Sequence, residues 1–285
     1  VASDFSLPIN VKSETKAFSK VDIRSQTSEK VVNIGFKDGD YVNQGEVICK
    51  LDSGERLANF KRAEIGFNSA KELSKKGLSS QSSLVAAETT FEQARIALER
   101  TNIAAPFGGF VDNLAKEGQL LQNGQICASL VSLSPLKIVG NVSELVVSKI
   151  KPGQPVKIKL ISGEEFETAV TFVASTADSQ TRTFRVESEL PNDQSSVKDG
   201  LTGEMTIFTD SQKAHFIPTS AFLLADNGDV ALATVMNSAI RIYTVQILID
   251  TVAGAWVTGL PQEANIVVAG QGFVKEGEKV NSVSR

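Results

Sequence analysis

Two copies of one short pattern run through this chain, and the segment between them is built on a different period. Val31-Val-Asn-Ile-Gly-Phe-Lys-Asp-Gly-Asp-Tyr-Val-Asn-Gln-Gly45 aligns without gaps onto Phe110-Val-Asp-Asn-Leu-Ala-Lys-Glu-Gly-Gln-Leu-Leu-Gln-Asn-Gly124. The alignment matches Val32 to Val111, Lys37 to Lys116, Asp38 to Glu117, Gly39 to Gly118, Val42 to Leu121 and Gly45 to Gly124. Such self-similarity decides the architecture before any local propensity does. Each copy reads as a strand, an acidic-Gly turn, a second strand, and a Gly turn into a third, Val47–Leu51 in the first copy and Ile126–Leu130 in the second. Gly39 and Gly118 stand where a tight turn calls for a positive φ or minimal bulk, and Gly45 and Gly124 serve likewise. Half a small sandwich cannot bury its own apolar face, so the two copies are expected to pack as a pseudo-symmetric pair.

Between the copies, over Ser53–Thr101, the apolar period changes from two to about 3.5. Phe60, Ala63, Phe67 and Ala70 recur at 3-4-3 spacing, and Leu84, Ala87, Phe91, Ala94 and Leu98 at 3-4-3-4. These are the two seams of one antiparallel helix pair. Lys75-Lys-Gly77-Leu-Ser-Ser80 separates them, with Gly77 suited to end the first helix and the serines to cap the second. Each helix is expected to run about 20 residues, or about 30 Å. Lys61, Arg62, Glu64, Lys71, Glu72, Glu88, Glu92 and Arg95 surround the narrow seams, which predicts a hairpin exposed on most sides.

The rest of the chain is strand-like. Leu136–Val142, Val156–Leu160, Thr168–Val173, Thr183–Leu190 and Glu204–Phe208 are short alternating stretches punctuated by Gly, Pro, Asn and Asp, a spacing that fits a small barrel. Ser143–Ile150 is expected to form a short helix, and Ala221–Arg285 to add strands that include Val230–Val235, Ile240–Asp250 and Ala264–Ala269. Flexible connections are expected near Leu133-Ser-Pro135 and Ala214–Pro218.

Composition narrows function mainly by exclusion. With 285 residues, 22% charged and a formal net charge of −4 spread along the chain, nothing resembles the basic footprint of a nucleic-acid binder. No run approaches the roughly 18 apolar residues of a membrane span, and VASDFSLPIN lacks a signal pattern, so the chain is expected to be soluble, with any anchor upstream of Val1. Cys49 falls on the strand parity of Val47 and Leu51, whereas Cys127 falls opposite Ile126, Ala128 and Leu130. One thiol is therefore expected inward and the other outward, as two separate thiols rather than a disulfide. The single histidine, His215, has no nucleophile signature beside it and reads as structural; two cysteines and one histidine make no metal site. Trp256 is expected to pack within the last domain, and Arg182 and Arg185 around Phe184 to form surface ion pairs, with inter-subunit contacts as the alternative. Asp38, Asp40 and Glu117 read as solvated turn residues. No catalytic, cofactor-binding or metal-binding residue is assigned.

These residues resemble the membrane fusion (periplasmic adaptor) proteins of tripartite efflux systems, of the resistance-nodulation-division (RND) type. The resemblance runs through Lys37-Asp-Gly-Asp-Tyr-Val-Asn-Gln-Gly-Glu-Val-Ile, the helical hairpin, and Ile103-Ala-Ala-Pro-Phe-Gly-Gly-Phe-Val111, its most specific stretch. It continues in Gln180-Thr-Arg-Thr-Phe-Arg-Val186, Gly200-Leu-Thr-Gly-Glu-Met205 and Gly272-Phe-Val-Lys-Glu-Gly-Glu-Lys-Val280. It implies a mainly β chain: a lipoyl-like β-sandwich split by an antiparallel coiled-coil hairpin, a small β-barrel domain and a membrane-proximal β-domain. The implied order is 1–20 N-terminal strands, 21–52 first lipoyl half, 53–101 hairpin, 102–133 second half, 134–213 barrel and 214–285 membrane-proximal domain. The implied role is non-enzymatic and cofactor-free, in the periplasm, anchored to the inner membrane through a segment absent from this chain. Its implied partners are an inner-membrane RND transporter, an outer-membrane channel and further copies of itself in a ring, a hexamer.

Family adaptors carry an Arg, a Leu and a Ser at the hairpin tip to engage the channel; here Leu73 and Ser80 fill the last two places. Ser69 stands at the Arg place, with Lys71 nearby, and Glu29 departs from the Gly common before the first lipoyl strand. An adaptor of an ABC or major-facilitator exporter is the alternative. A lipoyl or biotinyl carrier is the remote one, since the hairpin occupies the junction where a carrier presents its modified Lys.

Overall fold

The computed structural model describes residues 1–225, 228–281 and 283. The chain divides into two compact units, one comprising Val1–Ser13, Val139–Ser188 and Gly203–Arg285, the other Glu14–Ile138 and Glu189–Thr202.

In the second unit each copy of the repeat inserts its turn into the sheet of the other. Tyr41–Val42 of the first copy pairs with Gly109–Asp112 of the second, Tyr41 opposite Phe110. Leu120–Leu121 of the second pairs with Glu29–Ile34 of the first, Leu120 opposite Lys30. The backbone repeats this exchange. Gly39 N–H donates to the Val111 carbonyl and Val111 N–H to Asp40, at 2.8 and 2.9 Å; Gly118 N–H donates to Val31 and Val31 N–H to Gln119, at 2.9 and 2.8 Å. The second glycines do the same, Gly45 with Ala105 and Gly124 with Ser25, and Ala105 and Ser25 donate back to Glu46 and Gln125. Gly39, Gly45, Gly118 and Gly124 lie at φ +92°, +86°, +85° and +87°.

Side chains brace these turns in matching places. Asp40 accepts from Lys37 N–H at 2.7 Å and Gln119 from Lys116 N–H at 3.0 Å; Glu46 accepts from Asn43 and Gln125 from Gln122. Asp38 and Glu117 reach across copies, accepting from the N–H groups of Leu114 and Ile34 at 3.0 Å. Solvated turn carboxylates are thus also bonds between the halves.

The gapless alignment is one residue out before the turn. Val31, fully buried, plays the part of Val111, whereas Val32 is half exposed. A register shift between Val31 and Asn33 gives the first copy an extra residue. The same kind of irregularity overturns the expectation for the thiols: Cys49 and Cys127 form a disulfide, with Cα atoms 6.5 Å apart and no exposure at either residue. Alternation fails on both strands. A shift between Val47 and Cys49 leaves Ile48, Cys49 and Leu51 all buried, and Cys127 through Leu130 are buried in succession because both faces are covered. The bond joins the halves across 78 residues, which restricts the unfolded chain by on the order of 4 kcal/mol. Around it Val31, Val42, Leu51, Val111, Leu121 and Leu130 form one core.

Gly108 and Gly109 explain why the Ala-Pro-Phe-Gly-Gly-Phe stretch is so restricted. A Cβ on Gly109 would stand 2.7 Å from the Val131 carbonyl oxygen, and one on Gly108 2.7 Å from the Tyr41 hydroxyl.

In the first unit, Pro155–Leu160, Glu165–Val173, Thr183–Leu190 and Thr202–Phe208 join ends of Pro8–Arg24 and Ile126–Ser143 in a six-stranded barrel closed between Thr183–Leu190 and Ile126–Ser143. Ile158, Met205 and Ile207 fill its interior. Glu144–Val147 is the only helical turn within Ser143–Ile150. Beyond the barrel, Ser3–Phe5, Gln212–Ile217, Gly254–Thr258 and Gln246–Thr251 form a four-stranded sheet, and Phe222–Leu224, Val230–Met236 and Ala239–Thr244 a three-stranded one. Trp256 stacks on Phe5 at 4.4 Å and against Phe216 at 5.4 Å.

Three sequence expectations need correction here. Ile240–Asp250 is two strands, broken where Val245 turns into the core. Ala264–Ala269 is no strand; only Ile266 bridges to Thr234, and the chain then turns away at Gly270, φ +82°. Leu133–Pro135 lies inside the strand Ile126–Ser143, and Ala214–Ile217 inside Gln212–Ile217, rather than in loops. The expectation for the last domain extends to Arg285, which lies outside the described residues.

Gly109→Ala is expected to lower stability by about 1–3 kcal/mol, read as a fall in denaturant midpoint. Gly35→Ala, whose Cβ would meet nothing within 4 Å, serves as the control. Gly118→Val, forced to a positive φ, is expected to cost a similar ~1–3 kcal/mol; an unaltered melting temperature contradicts the turn assignment. Burial pushes the His215 imidazole below its ordinary value, so the unfolded chain binds more protons as pH drops. Stability present above the ordinary imidazole value is therefore lost as pH falls through the lowered one. Denaturation followed by Trp256 fluorescence should show this loss, and His215→Gln should reduce it.

Candidate functional site

The repeat leaves the segment between its copies free of the core, and the sequence there folds into two helices, α1 (Gly54–Lys75) and α2 (Gln81–Glu99). Neither contains a fully buried residue. Phe60, Ala63, Phe67 and Ala70 face Leu84, Ala87, Phe91, Ala94 and Leu98 as half-buried positions along a single seam. Phe91 packs between Phe60 and Phe67, each ring centroid 5.4 Å away. The outer faces carry surface ion pairs: Glu72 with Lys75, and Arg95 with Glu92 and Glu99. The Lys75 hydrogen bond holds the Glu72 carboxyl below its ordinary range, and Glu92 and Glu99 raise Arg95. All five groups face water, where such pairs are screened and contribute little.

At the tip, the last turn of α1 closes on a left-handed glycine. Gly77, φ +69°, donates to the Ser74 carbonyl at 3.0 Å, and Leu78 N–H donates to the Leu73 carbonyl at 2.9 Å. This is the paired-bond helix ending in which an apolar residue after the glycine meets one a turn earlier. Leu73 and Leu78 remain 46% and 71% exposed, so the tip presents two leucines to solvent. Ser80 caps α2, its hydroxyl accepting from Ser83 N–H at 3.2 Å. Lys71 lies over the Phe67 ring at 5.7 Å, and Ser69 is exposed on α1 one turn below Leu73. The tip therefore gathers Leu73 and Ser80, with Ser69 and Lys71 farther down the first helix. Leu78 was not singled out from the sequence, although Leu73-x-x-x-Gly77-Leu78 is the signature of this ending.

At the root, Glu29 forms an ion pair with Arg56 of the first helical turn at 3.2 Å, and Arg56 also donates to the Thr27 hydroxyl. Asp52 accepts from Gly54 N–H at 2.9 Å as α1 begins. Glu29 thus holds the start of the helix pair.

His215 is buried, with an Nε2 that has no hydrogen-bond partner among the described residues. Nor do the described residues include a cluster of three or more His, Cys, Asp or Glu able to hold a metal. A groove of about 410 Å³ runs beside the seam, its floor made by Ala63, Gly66, Phe67, Ala87 and Ala94 and its rim by Asn59, Arg62 and Thr90. Among the described residues, no helix is long and apolar enough to cross a membrane.

Comparison with known proteins places these features together. Residues 19–133 match the family described as "RND MFP, barrel-sandwich hybrid domain", and residues 138–211 the one described as "CusB-like, beta-barrel domain". The solvent efflux pump periplasmic linker SrpA of Pseudomonas putida is 24% identical over 317 residues, covering 99% of this chain and 83% of that protein. Multidrug resistance protein MexA of Pseudomonas aeruginosa is 23% identical over 323 residues, with the same coverage of 99% and 83%. A crystal structure of a MacA–MexA chimera containing the Pseudomonas aeruginosa MexA α-hairpin domain superposes with a TM-score of 0.67 at 21% identity, over 76% of this chain and 87% of that one. The two domain matches adjoin in chain order, and the chain belongs to the RND-type membrane fusion, or periplasmic adaptor, proteins.

Proposed function

We propose that this chain is a non-enzymatic periplasmic adaptor that links an inner-membrane RND transporter to an outer-membrane channel and so supports export of small molecules. The observation that carries this reading is the match over 99% of the chain to relatives named as a periplasmic linker of a solvent efflux pump and as a multidrug resistance protein.

In this reading residues 214–285, with the barrel (134–213), face the transporter. Copies stand side by side in a ring, a hexamer, held at the inner membrane by a segment outside this chain. The helix pair (53–101) points at the channel, and its tip docks through Leu73 and Ser80, with Leu78 beside them and Ser69 and Lys71 at the margin. An apolar tip contact suits helices of a partner, because leucines exposed at a rigid turn bury area on docking without prior ordering.

Leu73→Asp is expected to abolish export while leaving the fold intact, since the side chain is 46% exposed in the free chain; Leu78→Asp should act alike. Normal export from both variants at normal protein levels contradicts tip docking. Ser80→Arg should also abolish export, but it removes a helix cap, so about 1 kcal/mol of stability should go with it. Ser80→Asp, which can still cap, separates the two effects.

A further inference from the structure

Cys49 and Cys127 lie in different sheets of the sandwich. Val47–Leu51 pairs with Glu29–Ile34 and Asn102–Ala104, whereas Ile126–Ser143 pairs with Gly109–Asp112; among the described residues no ladder joins the two cysteine strands. The sulfurs therefore meet only when the two sheets lie face to face, across 78 residues of chain that include the whole helix pair.

Once the sheets have met, the sulfurs are sealed. Neither residue has any exposure, and both belong to the core that holds Val31, Val42, Leu51, Val111, Leu121 and Leu130. Making the bond by exchange requires a thiolate to attack a disulfide sulfur of a donor, which passes through a mixed disulfide. That intermediate puts a donor molecule on one of the two cysteine sulfurs, and a close-packed core leaves no room for it. The product, by contrast, is fixed by composition: with two cysteines in the chain, only one intrachain bond can form and no reshuffling is needed.

We infer that the bond is made before the sandwich closes, by a disulfide-bearing donor acting on the partly assembled copies. The chain is thus a substrate of thiol–disulfide exchange on the way to its fold. One cysteine thiolate attacks the donor's disulfide and releases the first donor sulfur. The other cysteine thiolate attacks the mixed disulfide, forms Cys49–Cys127 and releases the second. The chain gives up two electrons and its two thiol protons, and the donor leaves reduced, with both sulfurs as thiols. A donor of this class belongs to an oxidising compartment, which supports the periplasmic reading above. The order of events is independent of which partner the helices meet.

Refolding the full chain from the reduced, denatured state tests that order, with oxidised glutathione as the donor. In one arm glutathione is present from the start. In the other it is added once the Gly39 and Gly118 amides, which donate across the copies to Val111 and Val31, are protected from hydrogen exchange. Bond formation is read by mass spectrometry after alkylation of the remaining thiols. Late addition is expected to form the bond about a hundredfold more slowly or less, limited by opening of the sandwich, and denaturing urea should restore the fast rate. If the two amides gain protection only together with the bond, oxidation again comes first. Equal rates in the two arms, in a chain already protected at both glycines, would overturn the proposal.

Discussion

Neither copy of the repeat completes its own turns. Gly39 and Gly45 of the first donate to Val111 and Ala105, Gly118 and Gly124 of the second donate to Val31 and Ser25, and each acceptor residue donates back. One copy alone would leave those exposed donors to water and, at greater cost, expose the apolar face that holds Val31, Leu51, Val111 and Leu130. Each copy therefore depends on the other to close its core. The disulfide and the crossing carboxylates Asp38 and Glu117 reinforce the same dependence.

That dependence explains how two helices can be inserted without damage. The strands that bracket the insert are neighbours, joined from Leu51 to Thr101, so the chain departs and returns at almost one point. Loops whose ends meet in this way tolerate insertions. The helices need only their own seam, centred on Phe60, Phe67 and Phe91, together with the Arg56–Glu29 contact at the root. The sequence of the helix pair can thus change while the sandwich stays closed.

The repeat, the change of period at Ser53 and the strand character of the later chain were legible in the sequence because each is a pattern over many residues. What escaped depended on single insertions. One extra residue near Val32 moved Val31 to the place assigned to Val32. The shift between Val47 and Cys49 hid the disulfide, since a parity argument requires an unbroken pleat. The short strands failed for another reason: Ala264–Ala269 has strand composition but only one bridge, and pairing depends on a neighbour the sequence does not reveal. At the tip, Leu73 and Ser80 came from family resemblance, whereas Leu78 belongs to a helix ending that could have been read from Gly77.

The most direct measurement replaces Ser53–Arg100 with a two-residue Asn-Gly turn and records both folding and export. A sandwich closed by its own repeat predicts a folded protein with a denaturant midpoint close to the parent's, and an adaptor that reaches the channel through its helices predicts complete loss of export. A shortened chain that does not fold, or one that still exports, would contradict it.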